Sequence, residues 1–275
     1  MASSTYRLTD FIHEVQARYI ASTPNTFWSC GSALQQLISA GVVQDWLNDQ
    51  LQALAKDPHH VGNWNAQQAT LHKEAAWSLS VALFDTQRRF IHALPFQAFY
   101  VPLKYELTGK LFQLPPGFRN DVFDPSLSLT AAGDVKVDPL ELLKLETERY
   151  AYDFLVPRPI PVLRFATASL RPLEWLFSKT SLQAWQANDA DLSLTQLRIG
   201  AFVLGKIAHQ SSVAPLRRLA SHPHHAVRWA AIQNLGRLSR SEALIKIREA
   251  VNDQHPHVRR AAQKTLDQLD KPKQR

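Results

Sequence analysis

The histidines carry most of the chemistry that this chain could perform. His72 and Glu74 stand two residues apart, which on an extended strand places both on one face, and His92 follows. Imidazole and carboxylate ligands of this kind suit iron or zinc. The register of the next stretch opposes that use, because its apolar face is Trp77, Leu79, Val81 and Leu83, the opposite parity. Unless a bulge intervenes, His72 and Glu74 point away from the core. His72, Glu74 and His92 are the metal candidates here, and the expectation is that no metal or other cofactor is bound. A second group, His222, His224, His225, His255 and His257, lies in two separate connections. Neutral imidazoles ligate zinc, copper or nickel. No carboxylate or thiolate is fixed among them and prolines split the run, so solvated loop histidines are expected.

Other chemistry is sparse. Cys30 precedes a helical run, where a thiol can become nucleophilic. No histidine follows within a turn, so a buried structural thiol is expected. A single cysteine leaves no internal disulfide framework and no cysteine-built zinc site. Arg119, Asn120, Asp121 and Asp124 sit in a polar, turn-rich segment that could line a pocket mouth. A loop closed on itself by Asx-turns is the expectation. The glycine-rich phosphate loop, the dinucleotide fingerprint and the Gly-x-Ser-x-Gly elbow are all missing.

The elements that position these groups change character along the chain. Apolar residues at helical spacing predict a short helix over 5–20 and a longer one from Ser32 to Lys56. Period two begins at Trp77, and short apolar segments then follow at close intervals to Gln186. Turn residues separate them, as at Leu114-Pro-Pro-Gly117 and Pro157-Arg-Pro159-Ile-Pro161. Many short strands with regular turns predict a sandwich or barrel. From Asp191, a capping residue, helical spacing returns, with helices predicted over 192–208, 211–220, 225–238, 241–251 and 256–269.

The last region repeats itself with a period of 31 residues. Leu204, Leu235 and Leu266 keep this step, as do Gly200, Ala231 and Ala262, and Ile207, Leu238 and Leu269. Such a unit buries one face on its neighbours and presents the rest as a surface. Charge concentrates here too: residues 192–275 hold 15 Lys and Arg against 5 Asp and Glu, while the chain as a whole carries +7. A basic surface attracts acidic protein, nucleic acid or anionic lipid. Removing the buried positions leaves one exposed row, Arg198, Trp229 and Arg260, and a second, Lys206 and Arg237 with Lys264 nearby. An aromatic between cations could hold an acidic peptide or stack on a base.

The segments around Pro223, Val227, Arg228, Ala230, Ala231 and Leu235, and around Asp253, Pro256, Val258, Arg259, Ala261, Ala262 and Leu266, resemble HEAT repeats of the short, phycobilisome-lyase type. A degenerate copy includes Leu197-Arg198 and Leu204-Gly205. The resemblance implies stacked helix pairs, and it implies that Arg228 and Arg259 bond to a neighbouring repeat and serve structure. The strand-rich block resembles a cupin-type sandwich in its layout only.

The expected class is α+β: a helical segment over 1–68, a cupin-like β-sandwich over 69–190, a HEAT-like region over 191–270 and a tail over 271–275. The expected function is a non-enzymatic, cytoplasmic adaptor that docks an acidic protein on its basic HEAT face. Two alternatives stand beside it, a nucleic-acid-binding groove and a cupin-type metalloenzyme with an accessory HEAT segment. No membrane segment or export signal is expected. The sandwich could serve as a homo-oligomer interface.

Overall fold

The computed structural model describes residues 6–269 except 58, 60, 61, 63, 66 and 120. Asn120 and the 271–275 tail lie outside the described residues. The class is α+β, and the chain divides into two compact units, Met1–Ala190 and Asp191–Arg275.

The first unit opens with helix α1 (Leu8–Arg18), a 3-10 segment (Pro24–Cys30), α2 (Gly31–Ser39) and α3 (Val42–Lys56). The single helical run expected from Ser32 to Lys56 is two helices. Gly41 takes the left-handed region at φ +73°, and the chain turns there before α3 begins. Only glycine adopts that conformation without a Cβ penalty.

The strands follow as β1 (Gln68–Lys73), β2 (Trp77–Phe84), β3 (Phe90–Ala93), β4 (Ala98–Pro102), β5 (Leu107–Gln113) and β6 (Thr130–Val137). The remainder are β7 (Leu143–Leu145), β8 (Tyr150–Leu155), β9 (Ile160–Thr167), β10 (Leu173–Ser178) and β11 (Ala184–Asp189). They form a five-stranded sheet in the order β1-β2-β9-β4-β7 and a six-stranded sheet in the order β11-β10-β3-β8-β5-β6. Neighbouring strands are antiparallel throughout. Sequence patterning misses β1, whose apolar positions are only Ala69 and Leu71.

Three apolar clusters explain the patterning. Phe11, Val15, Phe27, Leu34 and Leu37 of the helices pack on Trp77, Leu79, Phe99, Leu163 and Phe165 of the five-stranded sheet. Alternate residues of the same strands, Ala98, Tyr100, Val162 and Ala166, meet Leu107, Val137 and Tyr152 of the six-stranded sheet. Both faces of β4 are therefore covered, and all five of its residues are buried. Such a strand reads as a continuous apolar run. The third cluster gathers Ile91, Phe112, Trp175 and Phe177 with Phe118 and Phe123 from the connection after β5.

The second unit is helical: α4 (Leu192–Ile207), a 3-10 turn (Gln210–Ser212), α5 (Val213–Leu219), α6 (His225–Leu238), α7 (Arg240–Ala250) and α8 (Pro256–Leu269). Asp191 caps α4, its Oδ1 accepting from the Ser193 N–H at 2.8 Å. Leu216, Ala231, Leu235, Ile247, Val258 and Ala262 form the core. The first copy of the repeat departs from the other two. Gly200 is exposed, and Ala201 is the buried residue beside Leu204. Ile199, Phe202, Val203 and Ile207 consequently lie on the exposed side of α4. Gly205 of α4 lies against α6, for a Cβ there would stand 2.5 Å from Asn234 Oδ1.

Candidate functional site

The loops before α6 and α8 are built alike and joined to each other. Arg228 Nη1 donates to the carbonyls of His222 and Pro223 at 2.9 and 2.6 Å. Arg259 Nη1, one repeat later, donates to the carbonyls of Asp253 and Gln254 at 2.7 and 3.0 Å. Each arginine thus closes the loop in front of its own helix. Arg228 also reaches the next loop, where Asp253 accepts from its Nε at 2.8 Å and its Nη2 at 2.5 Å. Burial pushes the Asp253 carboxyl upward, but the Arg228 hydrogen bonds and charge outweigh that and leave it below its ordinary value. A planar guanidinium matched to both carboxylate oxygens is the strongest form of such a pair.

That ion pair brings the two histidine loops together. His225 opens α6, and its ring lies parallel to that of His255, with centroids 3.5 Å and planes 5° apart. His257 stands nearly perpendicular to both, at 71° to His225 and 75° to His255. One ring nitrogen from each of His225, His255 and His257 lies within 4.8 Å of the others. Burial, reinforced by the imidazoles of His255, His224 and His257 and by Arg228, pushes His225 down to about 3. Its ring is neutral at ordinary pH. The sequence expectation of solvated loop histidines is corrected here, since His255 is buried and the three converge.

His225 and His257 also line a cavity of about 240 Å³, together with Arg198, Trp229 and Gln233. Arg198 and Trp229 of the first row therefore share one cavity, but Trp229 is half-buried against the core of the unit and not exposed as expected. Arg260 is exposed on α8, its Nε donating to the Pro256 carbonyl at 3.4 Å, and it does not line this cavity. In the second row, Lys206 and Arg237 gather on one ring, with Nζ 5.5 Å and Cζ 5.3 Å from the Phe202 centroid. Arg237 donates to Asn234 Oδ1 at 2.9 Å. It also lines a second cavity of about 490 Å³ with Trp229, Arg240 and Leu269. Lys264 is exposed on α8. Phe202 is the residue that sequence reasoning missed, and its signal was an aromatic four positions before Lys206.

The metal candidates of the first unit do not converge. His72 follows a bulge in β1, where its Nε2 lies 3.1 Å from Glu74 Oε1 and its ring lies against Trp77. The His72 hydrogen bond is the main reason the Glu74 carboxyl sits below its ordinary value. His92 belongs to the other sheet and pairs with Glu174, Nδ1 to Oε1 at 2.7 Å. Among the described residues, the one group of metal-ligating side chains is the His225, His255 and His257 cluster. Cys30 is buried, and burial raises its thiol pKa. Arg119 pairs with Asp121, and Asp124 Oδ1 accepts from the Ser126 N–H.

Residues 195–267, within the C-terminal helices, match the family model described as HEAT repeats. No curated protein matches the sequence. Solved structures similar to part of the chain include two dioxygenases. One is hydroquinone 1,2-dioxygenase PnpCD in complex with Cd2+ and 4-hydroxybenzonitrile, at 14% identity and TM-score 0.29, covering 36% of this chain and 61% of that one. The other is hydroquinone 1,2-dioxygenase from Sphingomonas sp. TTNP3 with 4-hydroxybenzoate bound, at 12% identity and TM-score 0.31, covering 38% and 68%. This chain spans less than two thirds of the first, and both likenesses are loose in geometry. Among the described residues no helix is long and apolar enough to cross a membrane.

Proposed function

We propose that this chain is a non-enzymatic, cytoplasmic binding protein that docks an acidic protein partner on its HEAT-repeat unit. HEAT repeats fit a protein-interaction role, and the observation that carries the reading is the pairing of cations with aromatics on this unit. Arg198 and Trp229 line one cavity, while Lys206 and Arg237 meet over Phe202. A carboxylate-rich segment would find guanidinium and ammonium groups for charge and aromatic faces for apolar contact. Arg260 and Lys264 extend the basic surface along α8. In this reading the helices stack as a solenoid, with a basic excess of 15 cations over 5 acids in residues 192–275. The two antiparallel sheets form a cupin-like sandwich over 69–190, behind the helical segment 1–68, and the sandwich serves as scaffold or dimer surface.

The test is a titration of the full chain with a glutamate-rich peptide, followed by tryptophan fluorescence at low and moderate salt. Saturable binding that weakens with salt and is lost when Arg198, Lys206, Arg237 and Arg260 are all changed to Glu supports the proposal. Binding untouched by those changes contradicts it. A parallel titration with duplex DNA separates the nucleic-acid reading, because a groove that neutralises several phosphates loses affinity steeply with salt.

A further inference from the structure

Histidine capping recurs in the second unit and defines what a structural histidine does here. His209 Nδ1 accepts from the Ser211 N–H at 3.3 Å, and His222 Nδ1 accepts from the His224 N–H at 3.0 Å. His255 makes the same turn with the His257 N–H at 3.3 Å. One histidine suffices for each such turn. The loops before α6 and α8 instead bring together three imidazoles whose ring nitrogens lie within 4.8 Å of one another.

We propose that His225, His255 and His257 form a binding site for a zinc-type divalent transition-metal ion, with a fourth coordination position left for solvent or an incoming ligand. Three imidazoles without a carboxylate or thiolate suit zinc, copper or nickel, and disfavour magnesium and calcium. Zinc binds imidazole nitrogen at about 2.0–2.1 Å in tetrahedral geometry, which sets ligand nitrogens roughly 3.4 Å apart. The ligand nitrogens, within 4.8 Å of one another, must close by up to roughly 1.4 Å to reach that value. The rearrangement has a definite form, because the lone pairs of the stacked His225 and His255 lie in parallel planes about 3.5 Å apart and cannot meet on one ion. One of the two rings must swing out of the stack, towards the edge-on His257. A change of tautomer at His255 gives up a long bond, in which its Nδ1 accepts from the His257 N–H at 3.3 Å. The nearby carboxylate, Asp253, is held by Arg228 and by the His255 N–H. It fixes the loop that carries His255 and leads into α8 at His257, as outer groups of metal sites do. The ion would stand at the wall of the Arg198–Trp229 cavity, which His225 and His257 also line.

This inference does not depend on the docking reading, since the metal is titrated on the protein alone. The full chain, purified without a histidine tag and stripped with chelator, is titrated with Zn2+ against a chromophoric chelator. The expected result is one equivalent bound tighter than about 1 μM. His257→Ala should weaken it at least about tenfold, whereas His209→Ala, in another loop of the same unit, should leave it unchanged. Circular dichroism verifies that each variant keeps its helices, and His257→Asn replaces His257→Ala if the latter unfolds. Co2+ gives an independent reading, with the visible bands of a tetrahedral site present in the wild type and absent in the His257 variant. Absence of a saturable equivalent would overturn the site. Variants of His257 that bind like the wild type would overturn it too, as would an equal loss in His209→Ala.

Discussion

Arg228 and Asp253 lie 25 residues apart and form a bidentate ion pair in which both side chains are about nine-tenths buried. The pair links consecutive repeats, since Arg228 sits in the first turn of α6 and Asp253 in the loop before α8. The same guanidinium closes its own loop through the carbonyls of His222 and Pro223. One side chain therefore fixes two loops and their separation, and the histidine cluster and the Arg198–Trp229 cavity both rest on that separation.

Asp253→Asn leaves a buried guanidinium without its counter-charge. A loss of about 3 kcal/mol is expected, the usual cost of breaking a buried pair from one side. Urea unfolding of the full chain, followed by its helical circular dichroism, measures it. A loss below about 0.5 kcal/mol would place this pair with ordinary surface salt bridges.

Gly205→Val tests the packing of α4 against α6 at Asn234. The added carbons must displace Asn234, which donates to the Ala230 carbonyl at 2.8 Å and holds Arg237 through Oδ1. Overpacking of this kind costs about 1–3 kcal/mol. Arg237 should also lose its fixed position, so the variant is expected to bind a glutamate-rich peptide less tightly at temperatures where it remains folded.

Much of this architecture is legible from residue order alone. The 31-residue step predicts α4 to α8, and its buried position holds in two of the three copies, at Ala231 and Ala262 but not at Gly200. Short strands are legible where both flanks carry turn residues. β1 escapes because two apolar side chains make too weak an alternation, and the break at Gly41 escapes because apolar spacing runs on through it. The convergence of His225, His255 and His257 is not visible in the local pattern. It depends on a long-range contact between Arg228 and Asp253, and each loop taken alone contains only capping residues. Arg260 shows the converse limit. Equivalent repeat position places it in line with Arg198 and Trp229, yet it does not reach their cavity.

Asp191→Ala removes the side-chain cap of α4, with an expected cost of about 1 kcal/mol. Hydrogen bonds from the Ser193 hydroxyl and N–H hold the Asp191 carboxyl below its ordinary value. For a carboxylate lowered on folding, the stabilisation is fully present above an unfolded pKa of about 3.9 and disappears as pH falls through the folded value. The gap in stability between wild type and Asp191→Ala should therefore hold constant from neutral pH to about pH 5 and narrow below pH 4. A gap that widens on acidification would show that the carboxylate is not the stabilising form.

Binding of an acidic peptide to the HEAT-repeat unit is the central claim, and Trp229 offers its most direct reporter. The measurement is the dissociation constant of a glutamate-rich peptide for the full chain, compared with Arg198→Glu and Trp229→Ala at one salt concentration. Saturable binding weakened at least about tenfold by either change, a loss of about 1.4 kcal/mol, is the predicted result. No saturable binding by the wild type, or equal affinities in all three proteins, would contradict the account.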